Sequence, residues 1–306
     1  MIISGGTGLA QSYQGGVKIL MTLPDRTPSP TPSVRTTSGL RPNPRRFGRI
    51  NWVGLQTLYL KEVRRFLAVW TQTLLAPMVT TLLFLAVFTL ALGGGRTDMS
   101  IGAESVSFGL FLIPGLVMMA MAQNAFANTS SSLVIAKVQG NIVDLLMPPL
   151  SPREVLVALA LGGMTRGVVV GIVILAAIAP FIHLPISHLG YVVFHAFAAS
   201  LCLSLIGIVG GIWSEKFDHI AAVTNFIVTP LTFLSGTFYT VERLPANWRF
   251  IAELNPFHYM IDGFRYGFIG VADSHLSIGI AVMVGCNIFL LVLGERMLTA
   301  GYKLKP

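Results

Sequence analysis

From Thr73 onward the chain alternates long apolar runs with short polar connections, and that alternation sets the architecture. The runs Thr73–Leu92, Phe108–Phe126, Val155–Ala179, Leu189–Ile212, Ile220–Phe238 and Ser277–Leu293 each approach the roughly 20 residues a helix needs to cross a bilayer core. The pattern predicts an all-α membrane protein with six transmembrane helices. Ahead of them, Leu55, Leu58, Tyr59 and Phe66 recur at helical spacing, with Lys61, Arg64 and Arg65 between them and Glu62 as an exception on the apolar stripe. Trp52–Trp70 therefore reads as an N-terminal interfacial helix, with a solvated cytosolic helix as the alternative. The Tyr239–Leu276 connection is too apolar for a free loop. Trp248, Phe250, Ile251 and Leu254 can bury one short helix, Asn255 and Pro256 break it, and a second helix runs through Tyr259, Phe264 and Tyr266. Both are expected to dip into the outer leaflet before the last span, with Asp262 and Arg265 as a local helix pair.

Composition sharpens this picture. Hydrophobic residues make up 53% of the 306 residues and charged residues 11%, well under the roughly 25% charged of soluble domains, and the mean hydropathy is +0.72. The net charge of +8 would suggest nucleic acid on a soluble surface. Here the basic residues crowd around the apolar runs, which favours anionic lipid over nucleic acid. Sixteen of the 21 Lys and Arg fall on one set of connections, four on the other, and Arg166 lies within a span. The positive-inside rule then puts both termini in the cytoplasm. Residues 1–49 carry Pro24, Pro28, Pro30, Pro32, Pro42 and Pro44 among Ser, Thr, Gly and Arg, the composition of a disordered cytosolic tail rather than a packed domain; residues 50–306 form the membrane domain. No signal peptide is expected, since the first long apolar run begins some seventy residues in. Cys202 and Cys286 both sit within apolar runs and read as small buried hydrophobes.

Candidate chemistry is sparse. The Gly5-Gly6-Thr7-Gly8 stretch lacks the Gly-Lys-Ser/Thr that closes a phosphate loop. His183, His188 and His195 do not stack on one helix face and have no nearby acid or cysteine, so a metal site is disfavoured. No G-x-S-x-G occurs, and no carboxylate lies mid-span to couple protons or sodium. Two features remain. Ala127–Glu154 is too long for a simple turn and offers a short helix over Val134–Leu146, stopped by Pro148 and Pro149. That helix presents Leu145, Leu146 and Met147 beside Lys137 and Asp144, either to a soluble partner or to the bundle itself. The second feature is Arg166, near the middle of its span among Gly162, Gly163, Gly167 and Gly171. It requires a polar partner on another helix, unless the span is displaced and the side chain snorkels to a face. Gln123, Asn124, Thr224, Asn225, Thr229, Thr232 and Ser235 supply mild intramembrane polarity that lines a path or satisfies itself within the bundle.

Four stretches taken together, in order, resemble the permease subunits of type-2 (ABC-2) ABC exporters: LLMPPLSPREVLVALALGGMTRG at 145–167, GGIWSEKFD at 210–218, PLTFLSGTFY at 230–239 and LNPFHYMIDGFRYGFIG at 254–270. The resemblance covers about Asn51 to Gly294. It implies that the segment around Val134–Leu146, with Lys137, Asp144, Leu145 and Leu146, is the coupling helix that seats on a separate ATP-binding subunit. Arg166, Asn124, Asn225 and Thr229 become intramembrane or gating candidates, and Trp248, Asn255, Pro256, Tyr259 and Arg265 fall on the outer-leaflet helices. It further implies two permeases with two ATP-binding subunits in a bacterial inner membrane, ATP and Mg held by the partner, and no cofactor or catalytic activity in this chain. The cargo would be amphipathic, lipid-linked or drug-like and would move outward. The alternative from the residues alone is a secondary transporter or channel that works without an ATPase.

Overall fold

The computed structural model describes residues 50–93, 98–101, 104–241, 249 and 254–304. Residues 1–49, and with them the expected tail, lie outside the described residues, as does Trp248. The elements in chain order are α1 (Trp52–Ala68), a π turn (Thr71–Leu75), α2 (Ala76–Gly93), the antiparallel hairpin β1 (Asp98–Ile101) and β2 (Glu104–Ser107), α3 (Phe108–Val138), α4 (Ile142–Leu146), α5 (Pro152–Ile178), α6 (Leu189–Trp213), α7 (Phe217–Val223), a second π turn (Thr224–Val228), α8 (Thr229–Phe233), α9 (Pro256–Ile269) and α10 (Leu276–Ala300).

Among the described residues five helices are long and apolar enough to cross a membrane: Thr71–Ala91, α3, α5, α6 and α10. The expected span at Ile220–Phe238 is built from α7, the π turn and α8 and is helical from Phe217 to Phe233. At 1.5 Å per residue that is about 25 Å, the length of a short span, and the segment leads from the α4 end, where Lys137 bonds Ser214 O, to the hairpin end, where Arg265 bonds Gly236 O. Both π turns precede a proline in the first turn of the next helix, Pro77 and Pro230. A proline ring crowds the carbonyl four residues back. Just ahead of each proline the chain uses wider bonds instead, from the Ala76 N–H to Thr71 O and from the Thr229 N–H to Thr224 O.

The expected second span ending at Phe126 is also corrected. α3 continues for 31 residues to Val138, so the first part of the presumed loop helix, Val134–Val138, belongs to it. Asn128, Thr129 and Ser130, expected in a connection, are fully buried in the bundle. The polar residues do not break the helix because their side chains bond to it or to its neighbours: Ser130 Oγ donates to Phe126 O (2.8 Å) and Thr129 Oγ1 to Ser204 O on α6 (2.7 Å). Gly140, at φ +74°, makes the turn that ends this arm and starts α4. α10 likewise extends past the expected Leu293 to Ala300.

α3, α5 and α6 form the centre. Ser204 Oγ donates to Ala160 O on α5 (2.9 Å), continuing the Thr129 link so that three helices are stitched in series. Contact this close depends on glycine: a Cβ at Gly207 would lie 2.2 Å from Thr129 Oγ1 and 2.5 Å from Phe126 O. The most apolar stretch of α3 is 72% buried, whereas those of α2 and α10 are 11% and 17% buried and lie at the periphery. α9 packs on α6 in the half of the bundle near the hairpin. A Cβ at Gly263 would lie 2.1 Å from the His195 ring, and the Ser187 and His188 N–H groups bond to Phe268 O and Gly267 O.

α5 begins with a capping box in which the Ser151 hydroxyl accepts from Glu154 N–H and the Glu154 carboxylate accepts from Ser151 N–H at 2.6 Å. Such caps are worth about 1 kcal/mol. The same carboxylate accepts the Asn51 N–H, which ties the start of α1 to the start of α5. α1 then runs along α5, with Tyr59 and Thr165 hydroxyls 3.0 Å apart.

Candidate functional site

At the α4 end, the five-residue helix turns Ile142 and Leu145 inward, 5% and 8% exposed, into an apolar cluster with Leu133, Val155 and Leu159. Leu145 is therefore a core residue and not part of an open face, because α4 follows α3 closely enough to fold one side back on it. The face left open carries Val143, Leu146 and Met147, at 51%, 46% and 76% exposure, beside exposed Asp144. Lys137 is committed elsewhere: its Nζ donates to Ile212 O and to Ser214 O, capping the end of α6.

Between α1 and the last turns of α3 lies a polar cluster that the sequence reading passed over. Glu62, 2% exposed, accepts from Arg65 Nη2 (2.8 Å) and from Ser132 Oγ (2.8 Å). Arg65 also donates to the backbone oxygen and the side-chain Oδ1 of Asn128, at 2.6 and 3.2 Å. The signal was present in the sequence as an acid on the apolar stripe of an amphipathic helix. A cavity of about 230 Å³ opens beside this cluster and is also lined by Lys61, Asp144 and Leu145.

One turn further along α3, Arg166 Nη2 on α5 donates to Asn124 Oδ1 (3.0 Å), while Asn124 Nδ2 bonds its own helix at Ala120 O. Asn225 and Thr229 are not partners of this pair. Asn225 is exposed on the second π turn, and Thr229 O accepts from Thr232 Oγ1.

At the hairpin end, Asn255 caps α9 by accepting from Phe257 N–H (3.0 Å) and reaches back to Leu231 O and Ser235 Oγ. Pro256 occupies the first turn. Tyr259 packs beside Gly279 of α10 and lines a cavity of about 560 Å³ with His258, Asp273 and His275. Arg265 and Asp262 do not form the expected pair. Arg265, 1% exposed, lies 3.8 Å over the Phe111 ring and donates to Phe111 O (3.3 Å) and Gly236 O (2.7 Å). Asp262 accepts instead from the Asp273 and Ser274 N–H groups, both at 2.9 Å. No group of three His, Cys, Asp or Glu suited to a metal occurs among the described residues, and Cys202 and Cys286 are free thiols.

A bundle of long apolar helices with a short helix at one end and a buried, arginine-pinned helix at the other defines a multi-pass membrane protein. Residues 53–269 match the family model for the ABC-2 type transporter. The chain is 37% identical over 233 residues to the inner membrane transport permease YadH of Escherichia coli strain K12, covering 76% of this chain and 90% of that protein. It is 25% identical over 238 residues to nodulation protein J of Rhizobium leguminosarum bv. viciae, covering 76% and 88%, and 23% identical to its namesake in Neorhizobium galegae over 76% and 87%. The chain belongs to the ABC-2 type transporter family. It is thus a transport component and not a catalytic enzyme, in a family whose permeases typically pair with ATP-binding subunits and often dimerise.

Proposed function

We propose that this chain is the inner-membrane permease of an ATP-driven exporter that moves an amphipathic, lipid-linked or drug-like cargo outward. Two copies work with two ATP-binding subunits, which hold the ATP and Mg, and both termini face the cytoplasm. The observation that carries the reading is the open Val143–Leu146–Met147 face on α4, at the end of the bundle where the basic residues concentrate. An apolar patch held at the end of a long buried helix suits a soluble partner that must push on the membrane domain. The YadH name supports the membrane assignment.

The test is the Met147→Asp exchange in the permease purified with its ATP-binding subunit. The expected result is loss of the subunit from the complex, or of cargo-stimulated ATP hydrolysis, with the permease still folded. Unchanged co-purification and unchanged stimulation would refute α4 as the seat. Cargo flux through liposomes holding the permease alone would favour an ATPase-independent transporter instead.

A further inference from the structure

Arg166 is a guanidinium deep in a membrane-spanning helix whose one hydrogen bond runs to a neutral amide. Its Nε is buried with no hydrogen-bond partner, and among the described residues no carboxylate lies within ion-pair distance of it. The Arg65 guanidinium belongs to the same side of α3, one helical turn away, and takes up the carboxylate of Glu62. Of these two cations Arg65 has an acid and Arg166 has none within ion-pair distance among the described residues. A charge so placed is costly unless something anionic visits it.

Asn124, which holds Arg166, also forms part of the wall of a groove of about 400 Å³ between α2 and α3, within the size range of small-molecule sites. Gln72, Thr80, Thr81 and Gln123 give the groove further hydrogen-bonding groups, whereas Phe84 and Leu116 line it with apolar surface. Polar groups and apolar wall in one groove suit a molecule with a headgroup and a tail, and the uncompensated arginine, which stands behind Asn124 and not in the lining itself, is reached when Asn124 gives way.

We propose that the α2–α3 groove binds the anionic headgroup of an amphipathic molecule, with Arg166 as the residue that selects its charge and Asn124 as the neutral placeholder the headgroup displaces. This rests on the exporter reading, of which it specifies the cargo class. Exchanging an amide oxygen for an anionic one turns a hydrogen bond charged on one side into an ion pair on Arg166. Asn124 Nδ2 keeps its bond to Ala120 O through the exchange.

The test uses the purified full-length permease in neutral maltoside micelles. Two fluorescent probes with the same dodecyl chain are titrated, one ending in a phosphate and the other in a hydroxyl, with inorganic phosphate as a competitor. The phosphate probe should bind about tenfold more tightly or better. Arg166→Gln should bring the two probes level, Arg166→Lys should keep the preference, and Thr80→Trp, which fills the groove, should abolish binding of both. Inorganic phosphate should compete only weakly. Equal binding of the two probes to the wild-type protein would overturn the proposal, as would a preference that survives Arg166→Gln. If Arg166→Gln does not fold, undiminished binding to Thr80→Trp overturns it. Strong competition by inorganic phosphate would overturn the amphipathic half. No ATPase enters this assay, so a Met147→Asp variant that loses coupling while keeping the probe preference separates failure of the groove from failure of the exporter reading.

Discussion

Arg265 is the sharpest place to test how the hairpin end is held. Replacing it with Ala removes two hydrogen bonds from a charged donor, to Phe111 O and Gly236 O, each worth about 1.5–3 kcal/mol. It also removes a desolvated cation–π contact on Phe111, worth about 2 kcal/mol. Against this stands relief of the several kcal/mol it costs to bury the cation. The two orphaned carbonyls remain inside the protein, so the net loss should be about 2–4 kcal/mol. The damage should be local to what Arg265 joins, namely α9, the start of α3 and the left-handed turn at Gly236 (φ +78°). The assay is reversible unfolding in mixed micelles, paired with deuterium uptake across residues 234–239 and 256–269. Arg265→Lys should recover only part of the loss, because an ammonium neither stacks flat on Phe111 nor forks to two carbonyls. An Arg265→Ala protein with wild-type unfolding midpoint and unchanged uptake would refute the clamp. Equal loss in Asp262→Asn at the same sites would revive the Asp262 pairing.

Two other perturbations probe packing and charge. Gly207→Ala drives a methyl into Thr129 and the Phe126 carbonyl and should cost about 1–3 kcal/mol by overpacking, read as a lowered unfolding midpoint; no change would mean α3 and α6 are looser than described. The Lys303 Nζ–Glu215 Oε1 bridge (2.8 Å) folds the C-terminal turn against the α6–α7 connection, its hydrogen bond holding the Glu215 carboxyl below its ordinary value of 4.5 and the Lys303 ammonium above 10.5. The Glu215 contribution is present above pH 4.5 and fades as pH falls through its depressed value, while that of Lys303 is present below 10.5 and fades only above it. Spin labels at positions 219 and 302 should therefore report release of the turn below pH 4.5, above pH 10.5, and in Glu215→Gln at every pH, and release between pH 5 and 7 in the wild-type protein would contradict the bridge.

The apolar runs located the long helices because lipid-length hydrophobicity is a property of composition, legible without tertiary context. What escaped was set by contacts between distant residues. The arm of α3 beyond Phe126 carries Asn128, Thr129, Ser130, Ser131 and Ser132, which reads as a connection until Ser204, Arg65 and Glu62 supply its hydrogen bonds. The segment at Ile220–Phe238 is interrupted by a π turn ahead of Pro230 and stops before the left-handed Gly236, details that composition averages over. Asp262 and Arg265 have the spacing of a helix pair, yet the buried carbonyls of Phe111 and Gly236 and the loop amides at Asp273 and Ser274 outcompete it. Leu145 and Leu146 are neighbours of identical chemistry, and only the return of α4 onto α3 decides which one is open.

The length of α3 changes how the proposed coupling would work. Had a loop joined the second span to the coupling segment, a push on that segment would be absorbed by the loop. Instead one continuous helix of 31 residues joins the α4 turn to Asn128, Asn124 and finally Phe111. On the exporter reading, a displacement at Met147 is carried along α3 past both arginine contacts, with Pro114 inside the helix before the Arg265 clamp at Phe111. The weakest joint on that route is the Arg166–Asn124 bond, a single neutral-acceptor contact, whereas Arg65 has an ion pair and Arg265 two carbonyls and a ring. A stroke of the partner subunit should therefore part α3 from α5 first at Asn124, in the wall of the groove where the headgroup would sit. Coupling and cargo binding then meet at one side chain, and Asn124→Ala should change both: a stronger preference for the phosphate probe, because the placeholder on Arg166 is gone, and ATP hydrolysis less dependent on cargo. If Asn124→Ala leaves both readouts at wild-type values, the route does not run through that contact.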